Sequence, residues 1–321
     1  MEMKYDELDL NVIERSGHFK NDADTSVFFA RELEAVKAKT YDQKSANLNA
    51  LNLFPMSTEV DAGAETITYQ SFGQVGMAKI VANYATDFPR VDVEGEEHSA
   101  RVFSIGASYG YSVQDVRAAR LAGKPLNQRK ATAVRRAIDE KINSIAFNGD
   151  EAHGIVGILK NPNISTYTLT ADGTGSATEF KKKTPVQILR DLNAAVSSVI
   201  ELTNGVEVPD TVVLPIAQYN YLSNTPYSDS IADSILTVFK KNNPYIKDVF
   251  QAAEMAGAGA SGKDIALIYV RDADHVTVEC PMPFMQYNVQ QDNMEYKVPC
   301  EARTAGVLVY YPLSMVKVEG I

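Results

Sequence analysis

Residues 128–149 constrain the fold more than any other stretch of the chain. Ala131, Val134, Ile138, Ile142 and Ile145 recur at three- and four-residue spacing, so one stripe is apolar and the other faces are polar. Asn127 is placed to cap the start, and Asn148-Gly149 to stop the end. The pattern predicts a helix over about 127–148, a rod of roughly 30 Å. A rod with one apolar stripe has to lie on a partner surface. A glycine-punctuated turn (Gly149, Gly154, Gly157) and a short apolar segment ending at Asn161-Pro162 follow it.

Strand-like segments supply that surface. Residues 99–113 read as one long strand, and the last fifty residues are strand-rich, so the two regions are expected to pair in one sheet under the helix. A short helix after the long strand is capped by Ser112 with Asp115 three residues on, and ends at Gly123. Thr184-Pro185 opens a further helix to about Leu202. Thr211–Leu214 and Ala266–Val270 read as buried strands, with helical pieces near Ile216–Ser223 and Asp229–Lys241 between them. Residues 165–183 read as a loop. The fold class is α+β, with strands at both ends of the chain enclosing an inserted helix–strand unit at about 185–270.

The first hundred residues differ. Residues 1–23 are polar and acidic with little periodicity, a helix is expected at Thr25–Lys39, and Ser45–Pro55 reads as extended. Glu65–Tyr69 alternates as a strand, Met77–Tyr84 reads as a second, and Gly73 and Gly76 as turn material. Such a hairpin has few bulky aliphatics, and a lone two-stranded hairpin is marginal in water. It must lean on something else, another subunit included.

Composition excludes several classes. The chain has 321 residues, 45% hydrophobic and 22% charged, an ordinary globular balance with room for one core or two. A net charge of −10 argues against avid nucleic-acid binding, which phosphate neutralisation drives. Cys280 and Cys300 are the only cysteines, too few for a disulfide scaffold or a thiolate zinc site; two thiols and one disulfide are both open. The N-terminus carries no apolar leader and no apolar run spans a bilayer, so a soluble, cytoplasmic protein with no membrane partner is expected.

Three motif matches invite chemistry. Gly257–Asp264 approaches a phosphate-binding loop, but a carboxylate stands where a hydroxyl would hold magnesium, and the strand follows instead of preceding. Gly106–Gly110 fits GxSxG around Ser108, yet the flanking alternation is that of a continuous strand; a serine hydrolase using Ser108 is the remote alternative. Arg271–His275 reads as a solvated turn rather than a metal site. No catalytic residue, cofactor or metal is expected.

Charge segregation says more. Val116–Ile138 carries seven basic residues and no acid, while Asp87–Glu97 carries five acids against Arg90. Arg129 and Lys130 fall at a helix N-terminus, where the dipole disfavours them. Local Arg135–Asp139 and Arg136–Glu140 pairs are one account. Contact between Glu94, Glu96 and Glu97 of one subunit and Arg129, Arg135 and Arg136 of another is the second.

This organisation resembles the major capsid proteins of tailed bacteriophages, whose Johnson fold is shared with encapsulins. Three segments carry the resemblance: FFARELEAVKAKTYD leading to LFPMSTEVDAGAETITYQSFGQVGMAKI, then SYGYSVQDVRAARLAGKPLNQRKATAVRRAIDEKINSIAFNGD, then HGIVGILKNPNI. It implies an N-terminal arm at 1–56 and an extended loop at 57–98. It implies a peripheral domain at 99–184 and 271–321, holding the spine helix, and an axial domain at 185–270. The implied function is structural: copies of the chain assemble through pentamers and hexamers into an icosahedral shell enclosing double-stranded DNA without sequence-specific contacts. Scaffolding, portal and decoration proteins are implied partners, the virion the location, and the host bacterial cytoplasm the place of assembly. An encapsulin-like nanocompartment shell is the alternative. Some relatives cross-link through lysine and asparagine; Lys79 is the only lysine in the loop, no partner can be assigned to it, and no cross-link is expected.

Overall fold

The computed structural model describes residues 47–75, 92–122, 129–228, 231–259 and 262–321. The expected Thr25–Lys39 helix, the expected Met77–Tyr84 strand, Asn127 and Lys79 lie outside these residues.

The long helix runs Arg129–Asn148 and buries Ile138, Ile142, Ile145, Ala146 and Phe147. Beneath it, Phe103–Ser112 pairs antiparallel with Glu295–Thr304 over ten residue pairs, as the sequence suggests. The other edge of Glu295–Thr304 takes Met282–Gln286 and Gln290–Asp292. The helix ends at Gly149, whose φ is +73°. A Cβ there would sit 2.3 Å from the Ile155 carbonyl oxygen, and one on Gly157 2.2 Å from the Gly149 nitrogen. Backbone meets backbone at this turn, so neither position accepts a side chain.

A five-stranded sheet lies alongside, in the order Asp248–Ala252, Thr211–Pro215, Ile265–Tyr269, Met315–Glu319, Ser165–Thr168. It is a shared wall. Val213, Leu267, Tyr269 and Met315 face the core under the long helix. Val212, Leu214, Ala266, Ile268, Val316 and Val318 face a second core, covered by helices Pro185–Leu202, Ile216–Asn224 and Ile235–Asn242. Pleat alternation puts successive residues into different cores, which is why these strands read as continuous apolar runs. The Pro185–Leu202 helix starts with a reciprocal cap, Gln187 N–H to the Thr184 hydroxyl (3.4 Å) and Thr184 N–H to the Gln187 amide oxygen (2.8 Å).

The hairpin differs from expectation. Thr66–Val75 runs straight through Gly73 and pairs with Asp92–Arg101, so Gly73 is a mid-strand residue opposite Glu94 and not a turn. The expected single strand at 99–113 breaks at Val102, whose N–H donates to the Glu65 carbonyl (2.9 Å). Before Val102 the chain pairs within the hairpin, and after it with Glu295–Thr304. Ile67, Val102, Ala305 and Leu308 pin the hairpin's base, while Phe72 and Val93 farther out are exposed. Other corrections are smaller. Ser165–Thr168 is a strand because the edge of Met315–Glu319 is free to receive it. The Asp229–Lys241 helical piece starts only at Ile235, where the Ser234 hydroxyl caps Thr237 N–H (3.3 Å).

The Ser45–Pro55 segment is not simply extended. Ala50–Leu53 makes one helical turn, closed by Leu53 N–H to the Asn49 carbonyl (2.9 Å) and Phe54 N–H to the Ala50 carbonyl (2.9 Å) and tied to the rest of the fold by side chains. Asn143 Oδ1 accepts from the backbone N–H of Asn49 (3.0 Å) and Ala50 (2.9 Å). The Leu53 carbonyl accepts from the Tyr269 hydroxyl (2.5 Å) and from Arg271 Nε (3.1 Å). Phe54 is fully buried, its ring 6.0 Å from that of Phe147 and 5.5 Å from that of Tyr269.

Asn143→Leu keeps the shape but strands the buried Ala50 N–H, the part-buried Asn49 N–H and the Glu254 carboxylate it also contacts. It should cost about 2–4 kcal/mol in urea unfolding. A second test concerns acid. Hydrogen bonds from Lys141 (2.9 Å) and His153 (2.9 Å) hold the Asp150 carboxyl down at about 2. A folded pKa below the unfolded one gives stability that is complete above about pH 4 and is lost as pH falls toward about 2. Asp150→Asn should flatten the urea midpoint over that window.

Candidate assembly surfaces

The tempting catalytic motifs resolve into structure. Ser108 stands mid-strand opposite Pro299, with no strand-to-helix elbow to present its hydroxyl. His153 and His275 are taken by Asp150 and Glu207, each at 2.9 Å. The Gly257–Asp264 loop closes on itself: Gly257 N–H donates to Asp264 Oδ1 (2.9 Å) and Gly259 N–H to the Lys263 carbonyl (2.8 Å). The loop's own carboxylate and a backbone carbonyl thus take these two donors, which a phosphate would need. Asp272 forms a turn, its side chain accepting from Asp274 N–H and its carbonyl from His275 N–H. Among the described residues no group of three or more His, Cys, Asp or Glu is arranged to hold a metal ion. Cys280 and Cys300 are both free and buried, and burial raises both thiol pKa values. No described helix is long and apolar enough to cross a membrane.

What remains is surface charge. Glu94, Glu96 and Glu97 lie on the second hairpin strand, in register with Gly73, Ser71 and Gln70. Consecutive Glu96 and Glu97 point to opposite faces and both are exposed. Glu96 stands 3.8 Å from His98, which stacks on Tyr69 at 5.0 Å. Neither glutamate pairs with Arg135 or Arg136 of its own chain.

Arg129 opens the long helix and is exposed. Arg135 lies 3.9 Å from Asp139, and Arg136 2.8 Å from Glu140, the local pairs expected from their four-residue spacing. The Arg135 guanidinium also sits over the Phe284 ring at 5.6 Å. Burial raises the Asp139 pKa, against the pull of Arg135 and Arg136. Lys130, disfavoured at a helix start, has an answer that spacing did not reveal. Its ammonium donates to the Gly110 carbonyl (2.7 Å) and lies 4.5 Å from the centre of the Tyr111 ring. Only the fold brings residue 110 to residue 130.

The side chains of Arg135 and Arg136 are 67% and 36% exposed, so solvent screens their local pairs. Arg135→Ala and Arg136→Ala should each change unfolding stability by about 0.5 kcal/mol or less. Thermal melts of the two variants check this.

A family model described as "Major capsid protein" matches residues 76–321. No curated protein matches the sequence. Among solved structures, the capsid of Myoviridae phage XM1 superposes with a TM-score of 0.76 at 19% identity, covering 92% of this chain and 99% of that one. Mycobacterium phage Bobi gives 0.61 at 14% identity, covering 92% and 99%. The capsid of a native GTA particle gives 0.60 at 8% identity, covering 90% and 96%. At these identities the likeness is one of fold.

Proposed function

Because the chain belongs to the major capsid protein family, we propose that many copies of it close into the icosahedral shell of a tailed bacteriophage, around double-stranded DNA. The observation that carries this is the family match across residues 76–321. The encapsulin-like shell is not favoured, since the matched family is that of major capsid proteins.

The work is geometric. The long helix, the paired strands under it and the shared five-stranded sheet make a stiff body. Residues 99–184 with 271–321 form the peripheral domain, and 185–270 the axial domain, whose sheet also takes Ser165–Thr168 and Met315–Glu319. Residues 1–56 act as an arm and 57–98 as the extended loop. The loop is anchored at its base and exposes Phe72 and Val93 farther out, as suits an element laid across a neighbour. Glu94, Glu96 and Glu97 of one copy face Arg129, Arg135 and Arg136 of the next. A head-to-tail contact of this kind closes into rings, here pentamers and hexamers. A net charge of −10 suits a wall that encloses DNA without gripping it. Scaffolding, portal and decoration proteins are separate partners, and assembly takes place in the host bacterial cytoplasm.

Negative-stain microscopy of the purified full chain should show closed shells, rings or sheets; a clean monomer at all salt and protein concentrations would count against the proposal. Arg135→Glu with Arg136→Glu should raise the concentration needed for assembly about tenfold at low salt, equivalent to about 1.4 kcal/mol. The gap should shrink as salt approaches 1 M. An unchanged threshold and salt dependence would remove these arginines from the contact.

A further inference from the structure

A cleft of about 870 Å³ opens between the hairpin's first strand and the three-stranded sheet of Met56–Ser57, Val276–Glu279 and Gly306–Val309. Glu59, Asp274 and Glu279 line it, and among the described residues no lysine or arginine does. Glu59 and Asp274 are exposed, whereas Glu279 is only 2% exposed. Glu279 Oε1 accepts from the Thr277 hydroxyl (2.7 Å) and the Tyr310 hydroxyl (3.1 Å), but Oε2 has no partner among the described residues. A buried carboxylate half satisfied is unusual and calls for a compensating positive charge. Low-dielectric walls with a single sign of charge focus a negative potential at the mouth. Apolar side chains, Phe72 and Tyr311 among them, stand beside the acids, and both are exposed.

The matching shape is on the same chain. Helix Val113–Ala122 carries Arg117, Arg120 and Leu121, spaced three and four residues apart on one face. Both arginines are exposed, and among the described residues neither has an ion-pair partner. Leu121 is 92% exposed, the most exposed of the large hydrophobic residues described. A cationic face with an apolar tip complements an acidic cleft with apolar walls. A metal ion is the poorer occupant, since no group of three ligating side chains is present among the described residues.

We propose that the Arg117–Arg120–Leu121 face of one copy docks in the Glu279 cleft of a neighbouring copy. Leu121 enters beside Phe72 and Tyr311, and the two arginines face Glu59 and Asp274 above the buried Glu279 charge. The contact is heterologous, distinct from that between the acidic hairpin strand and the long helix, and it rests on the self-assembly proposed above.

The test mixes two full-length variants, Leu121→Cys and Phe72→Cys, under assembly conditions with mild oxidant. The native cysteines are buried and stay silent. Disulfide-linked dimers should form in the mixture and not in either variant alone. Adding Arg117→Glu and Arg120→Glu to the Leu121→Cys chain should cut their yield about tenfold at low salt and less at high salt. Glu279→Gln, which keeps the Thr277 and Tyr310 contacts, should also lower the yield. A mixture no more cross-linked than the single variants, or a yield indifferent to the charge reversal, overturns the contact. Microscopy of the same samples separates the two ideas. Shells without the cross-link overturn this contact alone, whereas no assembly and no cross-link count against both.

Discussion

The structure depends on how one helical turn, Ala50–Leu53, is satisfied. A single turn closes only a few hydrogen bonds of its own, here from the N–H groups of Asn52, Leu53 and Phe54, so the N–H groups at its start and the carbonyl at its end need outside partners. Asn143 of the long helix supplies the acceptor at its start, and Tyr269 and Arg271 of the five-stranded sheet supply donors at its end. Glu254 closes the circuit, accepting from Asn143 Nδ2 (2.7 Å) and Asn49 Nδ2 (2.9 Å). One turn of chain thereby fixes the long helix against the sheet, and Phe54 fills the space between them. The spacing of helix and sheet is set by hydrogen-bond length as well as by apolar packing, which is why the body behaves as one unit.

From that unit the hairpin projects. Its base is held by a small apolar cluster and by the switch of pairing at Val102, whereas Phe72 and Val93, farther out, are exposed. A rigid body with a projecting element whose apolar side chains face solvent is a monomer built for contacts it does not make with itself. Phe72, Val93 and Leu121 are exposed, and the acidic and basic runs are segregated along the chain.

Much of this was legible in the chain. The long helix and its stripe, the Ser112–Asp115 cap and the Thr184-Pro185 helix start follow local rules of periodicity and capping, and the strand patterns near 103–112 and at the C-terminus pointed to their pairing. The hairpin's true partner strand was not legible, because Asp92–Arg101 is acidic and lacks strand-forming aliphatics; its register with Thr66–Val75 outweighs its propensity. The strand at Ser165–Thr168 was hidden for the same reason: a free sheet edge made it one. Nor could spacing show Lys130 on the Gly110 carbonyl, or Lys183 buried against Asp191, since both pairs exist only after long-range folding or close packing.

The sequence by itself determined the elements whose signal is local: helix lengths and caps, the glycines at the turn after residue 148, the apolar strands and the charge separation. The tertiary structure decided what depends on which distant residues meet. It broke the 99–113 strand at Val102, made a helical turn of Ala50–Leu53, placed one sheet between two cores, and left Glu279 half satisfied beneath a cleft. The reason is physical. Local propensities act between residues a few positions apart, whereas pairing edges, buried hydrogen-bond partners and clefts are set by segments that the chain brings together only when it folds.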